Sequence, residues 1–191
     1  MSYPKKLSEA AILEAATACV ETQGLDALSM RTLATDLGVA PNALYRYFPS
    51  KAALALALAE QAGQQLFSEL QAAAMDLPLP LALRATAHAY LRFAQAHPQL
   101  YALKMQHVRC DAERTRSHQQ IWDFVLQLSS QLPTPHDPRD LALSLWAGLH
   151  GLVELHRSDQ LEGRDPQHTL DVMLDVTVAG LMSRLGGAAR S

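Results

Sequence analysis

Between Gly38 and Lys51 the chain gathers an amide, two phenols, a guanidinium and an ammonium, in Asn42-Ala43-Leu44-Tyr45-Arg46-Tyr47-Phe48-Pro49-Ser50-Lys51. On a helix, Asn42, Tyr45 and Arg46 share one side while Leu44 and Phe48, four apart, share another. The polar side offers donors to phosphates and base edges, and asparagine and arginine suit two-point contacts with adenine and guanine. Tyr47 and Lys51 flank the end of this helix, where a hydroxyl and an ammonium suit a sugar-phosphate backbone. Arg31 stands in the first turn of a preceding helix, whose positive N-terminus favours a phosphate beside it. By spacing alone, a three-helix packing module with a merely solvated polar side fits the same residues.

These groups need rigid elements, and the sequence supplies start and stop signals for them. Ser8 is a candidate N-cap ahead of Ile12, Leu13, Ala16, Cys19 and Val20, which are spaced for one helical face, and Gly24 ends that helix. Ser29 caps a short second helix with Met30, Leu33, Ala34 and Leu37 on one side, and Gly38 stops it as a C′ glycine. Pro41 fits the first turn of a third helix, where its missing N–H costs nothing; that helix is predicted to run through Phe48 and to be cut by Pro49. Leu33, Leu37, Val39, Leu44 and Phe48 form the apolar brace between the two short helices. Ser50 caps a long fourth helix in which Leu54, Leu58, Ala62, Leu66 and Leu70 recur every four residues.

After the break at Leu77-Pro78-Leu79-Pro80, helices are predicted to about Ala96, from Pro98 through His107, over Asp111–Gln131, over Arg139–His156 and over Gln167–Leu185. Ala and Leu dominate and no segment reads as a strand, so the expected fold is all-α with about nine helices. The division expected is a three-helix head over residues 1–52 and a larger helical body over 53–191.

Composition excludes several classes. The chain has 191 residues, 49% hydrophobic and 18% charged, enough apolar content to bury a core. Its longest purely apolar run, Ala52–Ala59, is far below the roughly 20 residues of a membrane span. Glu9 and Glu14 interrupt the stretch behind Lys5 and Lys6, which argues against a signal peptide. Two cysteines, Cys19 and Cys110, make no disulfide framework, so a reducing cytoplasm is the expected location. No Ser/His/Asp order, glycine-rich phosphate loop or paired carboxylates support an enzyme, and no cofactor is expected. His107, Cys110 and His118 form no tight set of ligand spacing, so no metal is expected either.

The formal net charge is −3. Up to Lys51, five basic residues (Lys5, Lys6, Arg31, Arg46, Lys51) balance five acidic ones (Glu9, Glu14, Glu21, Asp26, Asp36). Weak binding to random DNA follows, because nonspecific affinity scales with the phosphates neutralised. Useful affinity must come from a few placed contacts, multiplied by dimerisation.

Leu28-Ser29-Met30-Arg31-Thr32-Leu33-Ala34 and Leu37 through Lys51 closely resemble the TetR (tetracycline-repressor-like) family, whose pattern is a glycine turn, a recognition helix ending in Leu-Tyr-x-(His/Tyr)-Phe, and a Lys opening the next helix. The likeness covers about residues 7 to 58. It implies a dimeric DNA-binding transcriptional regulator: a repressor on a palindromic double-stranded operator, released by a small-molecule effector. It implies that Tyr47 and Lys51 hold phosphates and that Ser29 and Arg31 lie at the N-terminal contact point of the second helix. Pro41, Asn42, Ala43, Tyr45 and Arg46 would face the groove, with Leu44 and Phe48 structural. Ala40 and Ala43 depart from the hydroxyl residues many members carry there, so no operator sequence carries over.

For the body the likeness implies effector binding and dimerisation. His97-Pro98-x-Leu100-Tyr101 and Trp146-x3-His150-Gly151-Leu152 resemble stretches of one TetR subgroup with a Trp…His-Gly signature. By residue type the effector candidates are Tyr90, Phe93, Tyr101, Met105, Trp122, Phe124, Trp146 and His150, although ordinary core packing is the commoner role for each such residue taken individually. Leu141, Leu145, Gly148, Leu152 and Leu155, followed by Val172, Val176, Ala179 and Met182, recur near helical spacing on the last two helices. A two-fold dimer through a four-helix interface is expected there, the alternative being that both helices simply close the protomer core.

Overall fold

A computed structural model of the chain describes residues 7–110 and 115–188, without the side chains at 107–110, 178 and 180–188. Nine α-helices run through these residues: α1 (Glu9–Gln23), α2 (Met30–Asp36), α3 (Pro41–Tyr45), α4 (Lys51–Ala74), α5 (Leu79–Ala96), α6 (Pro98–Cys110), α7 (Arg116–Ser130), α8 (Pro138–Arg157) and α9 (Pro166–Ala188), with a 3-10 turn at Leu25–Ala27. No strand occurs among the described residues.

The helix ends follow the capping chemistry. Ser8 Oγ accepts from the Ala11 N–H at 3.2 Å and opens α1. Gly24, at φ +81°, donates its N–H to Val20 O at 2.8 Å and closes it. Ser50 Oγ accepts from Ala53 N at 3.0 Å at the start of α4, and Asp137 accepts from Arg139 N at 2.8 Å at the start of α8. Helix α3 is shorter than its sequence suggests. It ends at Tyr45, so Phe48 lies outside it, in keeping with the bias against helical backbone that Pro49 imposes on the residue before it.

The chain divides into two compact units: residues up to Gln65 with His97–His118, and Leu66–Ala96 with Gln119 onward. In the first, Ile12, Ala16 and Val20 of α1 are buried with Leu33 and Ala34 of α2, Leu44 of α3 and Leu54 and Leu58 of α4. Burying a leucine of this kind stabilises by roughly 1.5–3 kcal/mol, so this cluster fixes the head. Helix α6 packs on α1 and buries Leu100, Tyr101 and Leu103.

A polar cluster crosses this first core. Ser117 donates its N–H to Glu60 Oε1 and Oε2 at 3.1 Å each, and its hydroxyl to Oε2 at 2.7 Å. Burial pushes the Glu60 carboxyl up, but hydrogen bonds from Gln64 and Ser117 outweigh it and leave the pKa lowered. Lys104 is only 5% exposed beside this cluster, and its burial outweighs the attraction of Glu60 and pushes its ammonium down to about 8. Gly63 makes the approach possible, since a Cβ there would sit 2.1 Å from Ser117 Oγ.

In the second unit α5, α8 and α9 pack on one another. Arg84 of α5 pairs with Asp171 at 2.6 Å and with Asp175, both on α9. His88 lies 2.9 Å from Asp171 and 2.7 Å from Gln167. Hydrogen bonding from His88, then Arg84, holds the Asp171 carboxyl below its usual range.

Candidate nucleic-acid interface and effector cavity

The α2–turn–α3 segment separates structural from polar side chains. Gly38 takes φ +66°, a conformation that costs glycine little, and the chain reverses there with Gly38 N bonded to Thr35 O at 3.0 Å and Val39 N to Ala34 O at 2.9 Å. Leu33, Leu44 and Phe48 are buried, while Leu37 and Val39 are half-buried. Arg31, Pro41, Asn42, Tyr45, Arg46, Tyr47 and Lys51 are all exposed, and Ser29 and Ala43 are half-buried. Tyr45 and Tyr47 stand 47% and 42% exposed, leaving two large rings in water. Ser29 caps α2, accepting from Thr32 N at 3.4 Å, whereas Ala40 offers no side-chain cap to α3.

Two of the proposed phosphate donors already have partners. Tyr47 donates its hydroxyl to Leu7 O at 2.9 Å, and Lys51 Nζ donates to Asp26 O at 3.4 Å. Both groups are therefore oriented by backbone carbonyls and are exposed to an incoming acceptor.

The eight effector candidates scatter. In the second unit a cavity of about 110 Å³ is lined mainly by aliphatic side chains of α4, α5, α7, α8 and α9, and of the eight only Tyr90 and Trp146 line it. His150 stacks on Trp146, with centroids 5.2 Å apart. Phe93 is buried, Trp122 is half-buried, and Phe124 meets Phe67 edge-on at 6.2 Å. Tyr101 and Met105 are core residues of the first unit. Thr86, Ile121, Val125, Leu149 and Leu174 line the cavity without any sequence signal, because a leucine facing a void and one facing a neighbour have the same spacing.

The interface candidates divide as well. Leu141, Leu145, Gly148 and Leu152 share one side of α8, and that side turns into the protomer. Leu141 and Leu152 are buried, Leu145 lines the cavity, and a Cβ on Gly148 would lie 2.7 Å from Met173 Sδ. Leu155, Val172, Val176 and Ala179 are exposed, as are Leu143 and Trp146. The side chain of Met182 lies outside the described residues, as do those of His107 and Cys110. Among the described residues no three His, Cys, Asp or Glu side chains are grouped to hold a metal ion, and no helix is long and apolar enough to cross a membrane.

Residues 12–58 match bacterial regulatory proteins of the tetR family, and residues 83–179, half of the chain, match the tetracyclin repressor-like C-terminal domain. The chain belongs to the TetR family. This TetR-family protein is a DNA-binding transcriptional regulator and not an enzyme. It is 28% identical over 194 residues to the uncharacterized HTH-type transcriptional regulator Rv0681 of Mycobacterium tuberculosis (strain ATCC 25618 / H37Rv), covering 99% of this chain and 89% of the other. A protein with unknown function from Rhodococcus sp. RHA1 superposes with a TM-score of 0.85 at 26% identity, over 94% of this chain and 99% of that one. AibR, solved in complex with isovaleryl coenzyme A and operator DNA, shares the fold with a TM-score of 0.65 at 20% identity, over 87% of this chain and 96% of its own.

Proposed function

We propose that this regulator is a homodimeric repressor that leaves a near-palindromic operator when a small molecule occupies the second unit. The observation that carries the proposal is the largely aliphatic cavity among α4, α5, α7, α8 and α9, the kind of site that takes small ligands. The structure of AibR with both an acyl coenzyme A and an operator supports the pairing of the two activities on this fold. Residues 1–52 form the reading head in this proposal and 53–191 the sensing and dimerising body. Arg31, Asn42, Tyr45 and Arg46 make groove and phosphate contacts, with Tyr47 and Lys51 on the backbone. The dimer forms through α8 and α9, using exposed Leu155, Val172, Val176 and Ala179 together with Leu143 and Trp146.

Half-site spacing on DNA is fixed by geometry, so an effector needs to change the separation of two recognition helices only slightly to abolish binding. Helix α4 is the connection, since it supplies residues to both units. Sequencing genomic DNA recovered on the purified protein tests the proposal. A two-fold motif with half-sites about one helical turn apart is expected. Recovery of DNA with no symmetric motif sinks it.

A further inference from the structure

The cavity of the second unit opens partly to solvent, and among its lining residues only Ser144 and Trp146 are exposed. Ser144 is small, and its hydroxyl is tied back to Asp140 O at 2.8 Å within α8. Trp146 is 37% exposed, so it borders the cavity and the solvent at once and is the one bulky side chain of the lining that does. One turn further along α8, the ring of His150 lies nearly parallel to the indole, at an interplanar angle of 9° with centroids 5.2 Å apart. The Trp146-x3-His150 spacing thus places both rings in one stack on one side of the helix. Elsewhere the wall is packed between helices, and Leu70, Leu141 and Leu174 are buried in it.

We propose that Trp146 is the gate of this cavity and that stacking on His150 latches it shut. The inference rests on the ligand-binding reading above and names how that site is entered. A compound passing between the buried walls has to displace close-packed helices, whereas an exposed side chain changes rotamer within nanoseconds. The indole is rigid and turns about only two torsions, so one rotamer change moves a whole section of wall. The stack on His150 opposes that change, and an aromatic pair of this kind favours the latched state by roughly twofold to tenfold. No charged side chain lines the cavity, so the part of a ligand that passes the gate is uncharged.

Fluorobenzene is the probe, a small uncharged ring whose bound population and exchange rates are read together by fluorine NMR on the full chain without DNA. The comparison covers the wild type, Trp146→Ala, His150→Ala and Val125→Ala, the last altering a half-buried wall residue of α7. It is repeated on a Val176→Glu background, so that loss of a partner copy from the outer edge of the indole cannot mimic an opened gate. Association should quicken by roughly tenfold or more in Trp146→Ala and by roughly twofold to tenfold in His150→Ala, and stay unchanged in Val125→Ala. His150→Ala leaves the indole in place, so dissociation should quicken in step and the affinity stay nearly constant. A wall that merely touches the ligand would raise the dissociation rate alone. Association equal in the wild type, Trp146→Ala and His150→Ala overturns the gate and leaves the ligand-binding reading standing. Association quickened as much in Val125→Ala also overturns it, because general loosening then accounts for the change. No bound probe in any of the four proteins counts against the ligand-binding reading, and the gate falls with it.

Discussion

Replacing Lys104 with methionine removes an ammonium from the core of the first unit while keeping the length of the side chain. Lys104 is 5% exposed, and burial outweighs the attraction of Glu60 to bring its pKa from 10.5 to about 8. At about 1.4 kcal/mol per pKa unit, the charged form is disfavoured in the folded state by on the order of 3 kcal/mol. The folded chain therefore gives up this proton earlier than the unfolded chain. Between about pH 8 and 10.5 the unfolded state binds more protons, and wild-type stability contributed by this group rises with pH across that window. Glu60 is not stranded by the substitution, because Ser117 and Gln64 still donate to it. Lys104→Met should thus be more stable than the wild type at pH 7, with a melting temperature roughly 5–10 °C higher. The gain should shrink towards pH 10.5 as the wild-type lysine is neutralised in both states. Urea unfolding of both proteins at matched pH values checks this, since other titrating groups cancel in the difference. A variant less stable than the wild type at pH 7, or a difference constant from pH 7 to 10.5, refutes the reasoning.

Four further substitutions probe the other sites. Tyr47→Phe and Lys51→Ala should weaken operator binding across all sequences, and Lys51→Ala should flatten the salt dependence by about one unit of slope per half-site; gel-shift affinities unchanged at several salt concentrations would remove both residues from the interface. Gly63→Ala should destabilise the fold by about 1–3 kcal/mol despite alanine's better helix propensity, because its Cβ would meet Ser117 Oγ at 2.1 Å; thermal melting of the purified variant measures it, and a stabilised protein contradicts the close packing. Val176→Glu alters a side chain that is 67% exposed, so helicity by circular dichroism should be unchanged while sedimentation shifts from dimer to monomer; a persisting dimer excludes this stretch of α9 from the contact.

Local chemistry made much of the head legible. Ser8, Ser29 and Ser50 cap the helices they precede, and Gly24 and Gly38 follow the first two of these at positive φ. The fourfold row Leu54, Leu58, Ala62, Leu66 and Leu70 is buried throughout. Spacing also divided α3 correctly, with Leu44 inside and Asn42, Tyr45 and Arg46 outside. In the body the same method loses its grip. Periodicity identifies an apolar side of α8 but not its owner, and the side bearing Leu141, Gly148 and Leu152 belongs to the protomer's own core and to Met173. Aromatic side chains suggest a ligand pocket by type, yet a cavity depends on what packing leaves unfilled, and here it is left mostly among leucines, with Ile121 and Val125, and only Tyr90 and Trp146 of the aromatic candidates line it. Lys104 reads as a surface lysine within α6, and only the meeting of α4, α6 and the start of α7 buries it.

The bond from Tyr47 to the carbonyl of Leu7 has a consequence for how DNA binding is valued and observed. A phosphate that recruits this phenol takes it from an acceptor it already has, so the contact is an exchange with a small net return. Leu7 O is then left to water, immediately ahead of the Ser8 cap. The start of α1 therefore reports on occupancy: faster amide exchange at its first turn when operator is bound would show which of the two acceptors holds the hydroxyl.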